Sequence, residues 1–279
     1  MMRTAISPQP TFARRRFLSG LAALAAASCL TLGAHAALAD SRDQERQIGQ
    51  QVYQDLANKH QIITSSAYYP VLRKVGARLS DATQPHWYPL NFVIVKGSQA
   101  NAFSVPGGWV YVNEGLLKSA GNEEELAGVL GHEIGHLQLG HVMTRIHQAQ
   151  NYNLIGGILS IFIRNPNVAG IAGFALNYSY LNFNRQQEYQ ADHQGVINAA
   201  RAGYNPYGTI WFFRRLEKLY GNAGFEQYVQ DHPATSDRIA RIESFFHSEP
   251  ATFGRWHDTM PPSNGLATSG AGTALSINQ

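Results

Sequence analysis

His132-Glu133-Ile134-Gly135-His136 is the stretch on which the reading of this 279-residue chain turns. It lies in an apolar-periodic run that predicts a helix from Glu123 to about His147. Asn122 is placed to cap that helix, with Glu125 three residues on as the second member of a capping box. Glu123 and Glu124 suit the positive end of the helix. Two histidines four apart project about 40° apart around a helix, so both imidazoles reach one tetrahedral ion. On the helical wheel Leu126, Val129, Leu130, Glu133 and Leu137 form the inward stripe, and His132 and His136 run along one edge of it. That edge is expected to be shielded on one side and open to a cleft on the other. Glu133 falls between the histidines and the core, placed to take a proton from water beside the metal. A helix with two incidental histidines would match the same three positions. The mid-helix position, the capped start and the shared face favour the metal.

A catalytic metal site of this kind needs a third protein ligand. Position 142 is Val and position 139 is Leu, so the extended three-histidine pattern of the metzincins is absent. His141 is five residues beyond His136, about 140° round a continuous helix, and is read as a packed or surface histidine outside the site. Glu188 and Asp192 are four apart and share a helical face. One of these carboxylates would bind the metal while the other accepts the free N–H of a ligand histidine.

Upstream, Arg14-Arg15-Arg16 precedes an Ala/Leu-rich run to about Leu32, and Ala34-His35-Ala36 and Ala37-Leu38-Ala39 follow before Asp40. These are the three parts of a cleavable export signal over residues 1–39. The apolar run is shorter than the ~20 residues that span a bilayer. Arg14-Arg15 with Phe17-Leu18 resembles a twin-arginine address. Cys29 is the single cysteine; lipoprotein anchoring through it is the alternative to cleavage. Otherwise the mature chain has no disulfide and no thiol chemistry. Four of the 22 Lys and Arg residues and none of the 19 acids precede Asp40, so the +3 formal charge belongs to the leader and the remainder carries −1. Nucleic acid is thereby excluded as a partner, since phosphate binding needs a concentrated basic surface.

Residues 40–249 read as one domain, α+β but mainly α. Helices are expected over about Asp40–Lys59, Ala67–Ser80, Asn184–Ala202, from Asn205-Pro206 onward, and from Asp231-His232-Pro233 to about Phe246. Leu90–Lys96, Asn101–Val105 and Trp109–Val112 predict a small sheet of about three strands, turned at Pro106-Gly107-Gly108. Asn153–Leu176 is apolar and Gly-rich, but Arg164-Asn165-Pro166-Asn167 splits it into pieces too short to span a bilayer. It is expected to be a buried helical hairpin or flap, with peripheral membrane contact as the alternative. Residues 250–279, rich in Pro, Gly, Ser, Ala and Thr, are expected to be disordered.

Asn101-Ala102-Phe103-Ser104-Val105-Pro106-Gly107-Gly108, His132-Glu133-Ile134-Gly135-His136, Glu188-Tyr189-Gln190-Ala191-Asp192 and His232-Pro233 with Arg238-Ile239 occur in this order. Together they resemble the gluzincin metallopeptidase family of HtpX, the CAAX prenyl proteases and the periplasmic proteases BepA and LoiP, over roughly Asp40 to Phe246. The chain shows neither the multiple membrane spans of the first two nor, after Phe246, the length of an attached helical-repeat domain. A stand-alone catalytic domain of the LoiP kind is therefore the nearest counterpart.

The resemblance implies a zincin-like fold with an active-site helix and one Zn2+ per chain, held by His132, His136 and Glu188. It implies Glu133 as general base, with Asp192 and Arg238 behind the ligands. It also implies that Asn101, Ala102, Phe103, Ser104 and Val105 form an edge strand that receives extended substrate, a mode that supplies affinity without demanding a sequence. His232 is open between three roles: stabilising an oxyanion, occupying the fourth zinc position in a latent form, or making a structural His-Pro turn held by Arg238. The implied activity is hydrolysis of internal peptide bonds in unfolded or misassembled cell-envelope proteins, in the periplasm, with outer-membrane proteins among the implied contacts. The alternative is a chaperone-like client-binding protein with latent or vestigial cleavage.

Overall fold

Three short runs of β-branched and aromatic residues build the sheet. In the computed structural model, which describes residues 41–83, 88–151, 183–232, 235–266 and 272–273, Asn91–Val95 (β2), Ala102–Val105 (β3) and Trp109–Asn113 (β4) form a mixed sheet ordered β2-β4-β3. A separate two-residue pairing joins Ser65–Ser66 (β1) to Gly272–Thr273 (β5). β2 runs parallel to β4, with Asn91 opposite Trp109, and β3 runs antiparallel to β4, with Ala102 opposite Val112. The period-two alternation sends Ile94, Ala102, Val110 and Val112 into one core. Val93, Val95, Phe103, Val105, Trp109 and Tyr111 go into a second core on the other face. Both faces of the sheet are thus covered.

The first core lies under Tyr69–Ala82 (α2) and Glu123–Gln138 (α4) and continues through Arg185–Arg201 (α6) and Gly208–Asp231 (α7). The second is roofed by helical residues 41–58 (α1), through Ile48, Val52 and Leu56, and by His141–Asn151 (α5), through Val142 and Ile146. Glu114–Ser119 (α3) links β4 to α4, and Thr235–Ser248 (α8) and Pro250–Phe253 (α9) pack on α6. All these packing contacts lie within one compact unit that begins at Glu45. Among the described residues no helix is long and apolar enough to cross a membrane. The expected export signal over residues 1–39 and the expected hairpin over Asn153–Leu176 lie outside the described residues.

The start of α4 follows its sequence signals with one change. Asn122 accepts the Glu125 backbone N–H at 2.9 Å, a cap of about 1 kcal/mol. The Glu125 carboxylate does not close the box on the cap. It accepts from Gly121 N at 2.8 Å and from Arg215 Nε and Nη2 at 2.7 and 2.8 Å, tying α4 to α7. A full capping box does occur at α6, between Asn184 and Gln187.

Three expectations need correction. The wheel left the histidine edge of α4 open to a cleft, but every residue from Glu125 to His136 is buried. The cause lies in the small residues on the face opposite the apolar stripe. A Cβ at Gly131 would sit 2.7 Å from Gly195 O, and one at Gly195 would sit 2.8 Å from His132 N, so α4 and α6 cross backbone against backbone. Next, the helix expected to run to His147 breaks after Gln138 and restarts at His141. Gly140 provides the break, with φ of +65°, the left-handed position at which helices commonly end on glycine. Last, within residues 250–266, where disorder was expected, Pro250–Phe253 forms a short helix and a few side chains are anchored. Phe253 and Leu266 are buried, and Asp258 accepts from Trp211 Nε1 at 2.5 Å and from Arg214 Nη1 at 2.9 Å. A composition poor in large apolar residues still supplies anchors in Phe253 and Leu266.

The α4–α6 crossing leaves no flexible side chain to yield. Gly195→Ala is expected to lower stability by about 1–3 kcal/mol, the usual cost of overpacking. Urea denaturation of wild type and variant measures it.

Candidate metal centre

α4 carries His132, Glu133 and His136, α6 carries Glu188 and Asp192, α8 carries Arg238, and His232 stands between α7 and α8. All seven are 2 % exposed or less. The close α4–α6 crossing brings them together, because it sets the two four-residue spacings face to face. His132 Nε2 and His136 Nε2 lie 3.0 Å apart. Glu188 places Oε2 3.5 Å from His132 Nε2 and Oε1 3.5 Å from His136 Nε2. His232 Nδ1 completes the group, 3.1 Å from Glu188 Oε1 and 3.4 Å from His132 Nε2. One ligand atom from each of these four residues falls within 4.8 Å of the others.

That arrangement fits a small cation. A tetrahedral ion with bonds of about 2.0–2.2 Å spaces its ligand atoms about 3.3–3.6 Å apart, close to the separations here. Charge points the same way. Glu133, Glu188 and Asp192 are all buried, and among the described residues the permanent cation beside them is Arg238. Neither oxygen of Glu133 has a hydrogen-bond partner of normal geometry. Its Oε1 lies 3.6 Å from His232 Nε2.

Arg238 organises the outer layer. Nε and Nη2 donate to the two Asp192 oxygens at 2.7 Å each, a planar fork on a carboxylate. Nη1 donates to the His232 carbonyl at 3.1 Å and lies 3.2 Å from Glu188 Oε2. The guanidinium stacks over Phe213 at 4.8 Å. Asp192 Oδ1 in turn meets His132 Nδ1 at 3.0 Å, the carboxylate partner expected behind a histidine ligand.

The electrostatics follow from this geometry. Burial opposes ionising Glu188, but His232 and Arg238 beside it hold its carboxyl well below the usual carboxylate range. Asp192 is likewise held low by Arg238 against the cost of its burial. For His132 burial works downward, yet its hydrogen bonds to Asp192 and Glu188 prevail and raise it to about 9. Burial takes His136 down to about 3. Glu133 is pushed up by burial, against the opposing pull of His232, His132 and Ser104.

The structure brings together His132, Glu133, His136, Glu188, Asp192, His232 and Arg238, and Ser104 of the expected substrate strand interacts with Glu133. β3 is an edge strand of the three-stranded sheet and packs against α4. Its four residues, Ala102 to Val105, are buried, and Asn101 just before it is half-buried. Two neighbours are not placed against the site by the sequence: it reads His141 as a packed or surface histidine outside the site, and it does not single out Phe183. His141 sets Nδ1 3.0 Å from His136 Nδ1, and Phe183 stacks on the His136 ring with centroids 3.8 Å apart. Gly140 was the available signal for His141, since a glycine there breaks the helix and voids the 140° argument. Phe183 had none.

Arg238→Met is expected to leave the Asp192 charge buried and uncompensated, at about 3–5 kcal/mol. Arg238→Lys restores little, because an ammonium cannot reproduce the fork. Thermal and urea denaturation of both variants check this.

The comparisons agree with the geometry. The family model described as Peptidase family M48 matches residues 69–245, a span that takes in α4, α6, His232 and Arg238. The β-barrel assembly-enhancing protease of Escherichia coli K12 is 26% identical over 222 residues, 75% of this chain and 45% of that protein. The mitochondrial metalloendopeptidase OMA1 of Schizosaccharomyces pombe is 26% identical over 234 residues, 79% of this chain and 67% of its own length. The metalloprotease LoiP of Escherichia coli K12 is 28% identical over 164 residues, 55% of this chain and 62% of its own. The chain spans less than half the length of the β-barrel assembly-enhancing proteases that it matches. A buried His/Glu cluster able to hold a metal, on a helix pair inside the matched span, together with that match, places the chain in peptidase family M48, as a metallopeptidase.

Proposed function

We propose that this chain is a zinc-dependent endopeptidase that cuts unfolded or misassembled proteins of the cell envelope after export to the periplasm. The observation that carries the reading is the buried cluster of His132, His136, Glu188 and His232 with Glu133 at its side. His132, His136 and Glu188 would hold the zinc, two imidazoles and a carboxylate being an ordinary donor set for it. When bound, the ion supplies Lewis acidity toward a carbonyl oxygen and toward water.

The remaining work falls to the chain itself. Glu133 accepts the proton from the attacking water at a carboxylate oxygen and passes it to the leaving amine. Burial lifts its proton affinity, which makes it the stronger base. Asp192 holds the Nδ1 proton of His132, and Arg238 holds Asp192. β3 offers backbone groups at the sheet edge, to which an extended peptide adds as a further strand. Because β3 is buried along its length, substrate reaches it only once that edge is uncovered. Export is supported by the leader-like composition of residues 1–39, with lipid anchoring through Cys29 as the variant route. The names of the β-barrel assembly-enhancing relatives support outer-membrane proteins as clients.

One observation favours a second reading. His232 Nδ1 joins the other three ligand atoms, which would fill the position that a catalytic zinc keeps open. In that form the chain would bind clients and withhold cleavage.

Glu133→Gln is expected to retain zinc, by metal analysis of the purified protein, and to lose about 100-fold or more in cleavage of an unfolded substrate. Zinc-free wild type with full activity would sink the mechanism. His232→Ala separates the two readings, since faster cleavage identifies a latch and slower cleavage a transition-state role.

A further inference from the structure

His141 lies outside the group of four candidate ligands and yet touches it. Because the helix breaks at Leu139-Gly140 and restarts at His141, His141 is not held at the angle that a continuous helix would give it. It is buried, with Nδ1 3.0 Å from His136 Nδ1 and the two rings edge to face at 5.1 Å. Phe183 covers the other side of the His136 ring at 3.8 Å. His136 is thus gripped on an edge and a face, and its Nε2 points at His132 Nε2 and Glu188.

A neutral imidazole carries one proton, on one of its two nitrogens. The contact between the two Nδ1 atoms is therefore a hydrogen bond in only two ways. If His141 donates, the His136 proton is on Nε2 and points into the group of ligand atoms, which bars His136 from binding a metal. If His136 donates, its Nε2 is bare and free to ligate. In that case His141 carries its own proton on Nε2. The Gln190 side chain on α6, which interacts with His141, offers an amide oxygen as an acceptor for this proton. In the first arrangement the His136 Nε2 proton falls to Glu188 Oε1, 3.5 Å away, so only the second leaves both Nε2 and that carboxylate oxygen to a cation.

We propose that His141 is a positioning residue, whose Nδ1 accepts the Nδ1 proton of His136 and so locks His136 in the tautomer with a bare Nε2. This rests on the reading of His136 as a metal ligand. It gives the two ligand histidines different supports: His132 leans on the Asp192 carboxylate, and His136 on a neutral imidazole that adds no charge to an already acidic pocket. Partners of this kind orient the ring and set its affinity for metal.

Zinc affinity of the purified full chain, measured by competition with a chromogenic chelator, tests the assignment. His141→Phe keeps the ring volume and removes the acceptor, whereas His141→Asn can present an amide oxygen near the Nδ1 position. Zinc binding is expected to weaken about 10- to 100-fold in the Phe variant and to stay within about threefold of wild type in the Asn variant. Equal affinity in wild type and a folded Phe variant overturns the proposal. Nitrogen-15 spectra of zinc-loaded wild type provide a check that needs no variant. A proton on His136 Nδ1 is expected, and a proton on His136 Nε2 overturns the proposal. Wild type that binds no zinc overturns the ligand reading itself, which keeps that failure distinct from a failure confined to His141.

Discussion

Three carboxylates that water does not reach, Glu133, Glu188 and Asp192, have to coexist within a few residues' reach, and Arg238 is the group that allows it. Its fork neutralises Asp192, its third nitrogen lies against Glu188, and the same nitrogen anchors the His232 backbone. An isolated carboxylate moved into such surroundings would take up a proton instead of remaining ionised. Arg238 keeps Asp192 an anion, and His232 together with Arg238 does the same for Glu188, so that Asp192 can hold His132 and Glu188 can face a cation. Glu133 is left without such a partner, and its raised proton affinity is the consequence that a general base requires. One buried guanidinium thus separates two acids held as anions from one whose proton affinity burial raises.

This charge arrangement depends on a packing constraint. Glu188 and Asp192 face His132 and His136 only because α4 and α6 approach to backbone contact at Gly131 and Gly195. The same approach closes α4 on the side that a simple apolar stripe would have left exposed. A site built on two crossing helices, with both ends tied by Arg215–Glu125 and Arg238–Asp192, is held by rigid elements instead of loops. The position of His232 differs in this respect. It stands in the connection between α7 and α8, tied by its carbonyl to Arg238, so it is the member of the group whose support is least regular.

The break at Gly140 shows how a single backbone choice redirects chemistry. In a continuous helix His141 would point away from His136. A left-handed residue one position earlier breaks the helix, and the two imidazoles meet. The sheet is affected by the same turn, because α5 then supplies Val142 and Ile146 to the core beneath Tyr111 and Phe103. Site and core share this break.

What the sequence determined by itself is whatever depends on local spacing. The i, i+4 histidines and carboxylates, the Asn122 cap, the three strand runs and their turn are all set by neighbours within a few residues, and each was readable from side-chain type and period. The tertiary structure alone decided which faces meet. Burial on all sides of α4, the pairing of Glu125 with Arg215, the anchoring of Phe253 and Leu266, the meeting of His141 with His136 and the cover of Phe183 all arise between residues distant in sequence or across a break in the helix. No local period records such contacts, since their energy comes from surfaces that exist only once the helices have crossed. His132-Glu133-Ile134-Gly135-His136 named the ligands that α4 could offer; the approach of α6 and α8 decided what they would face.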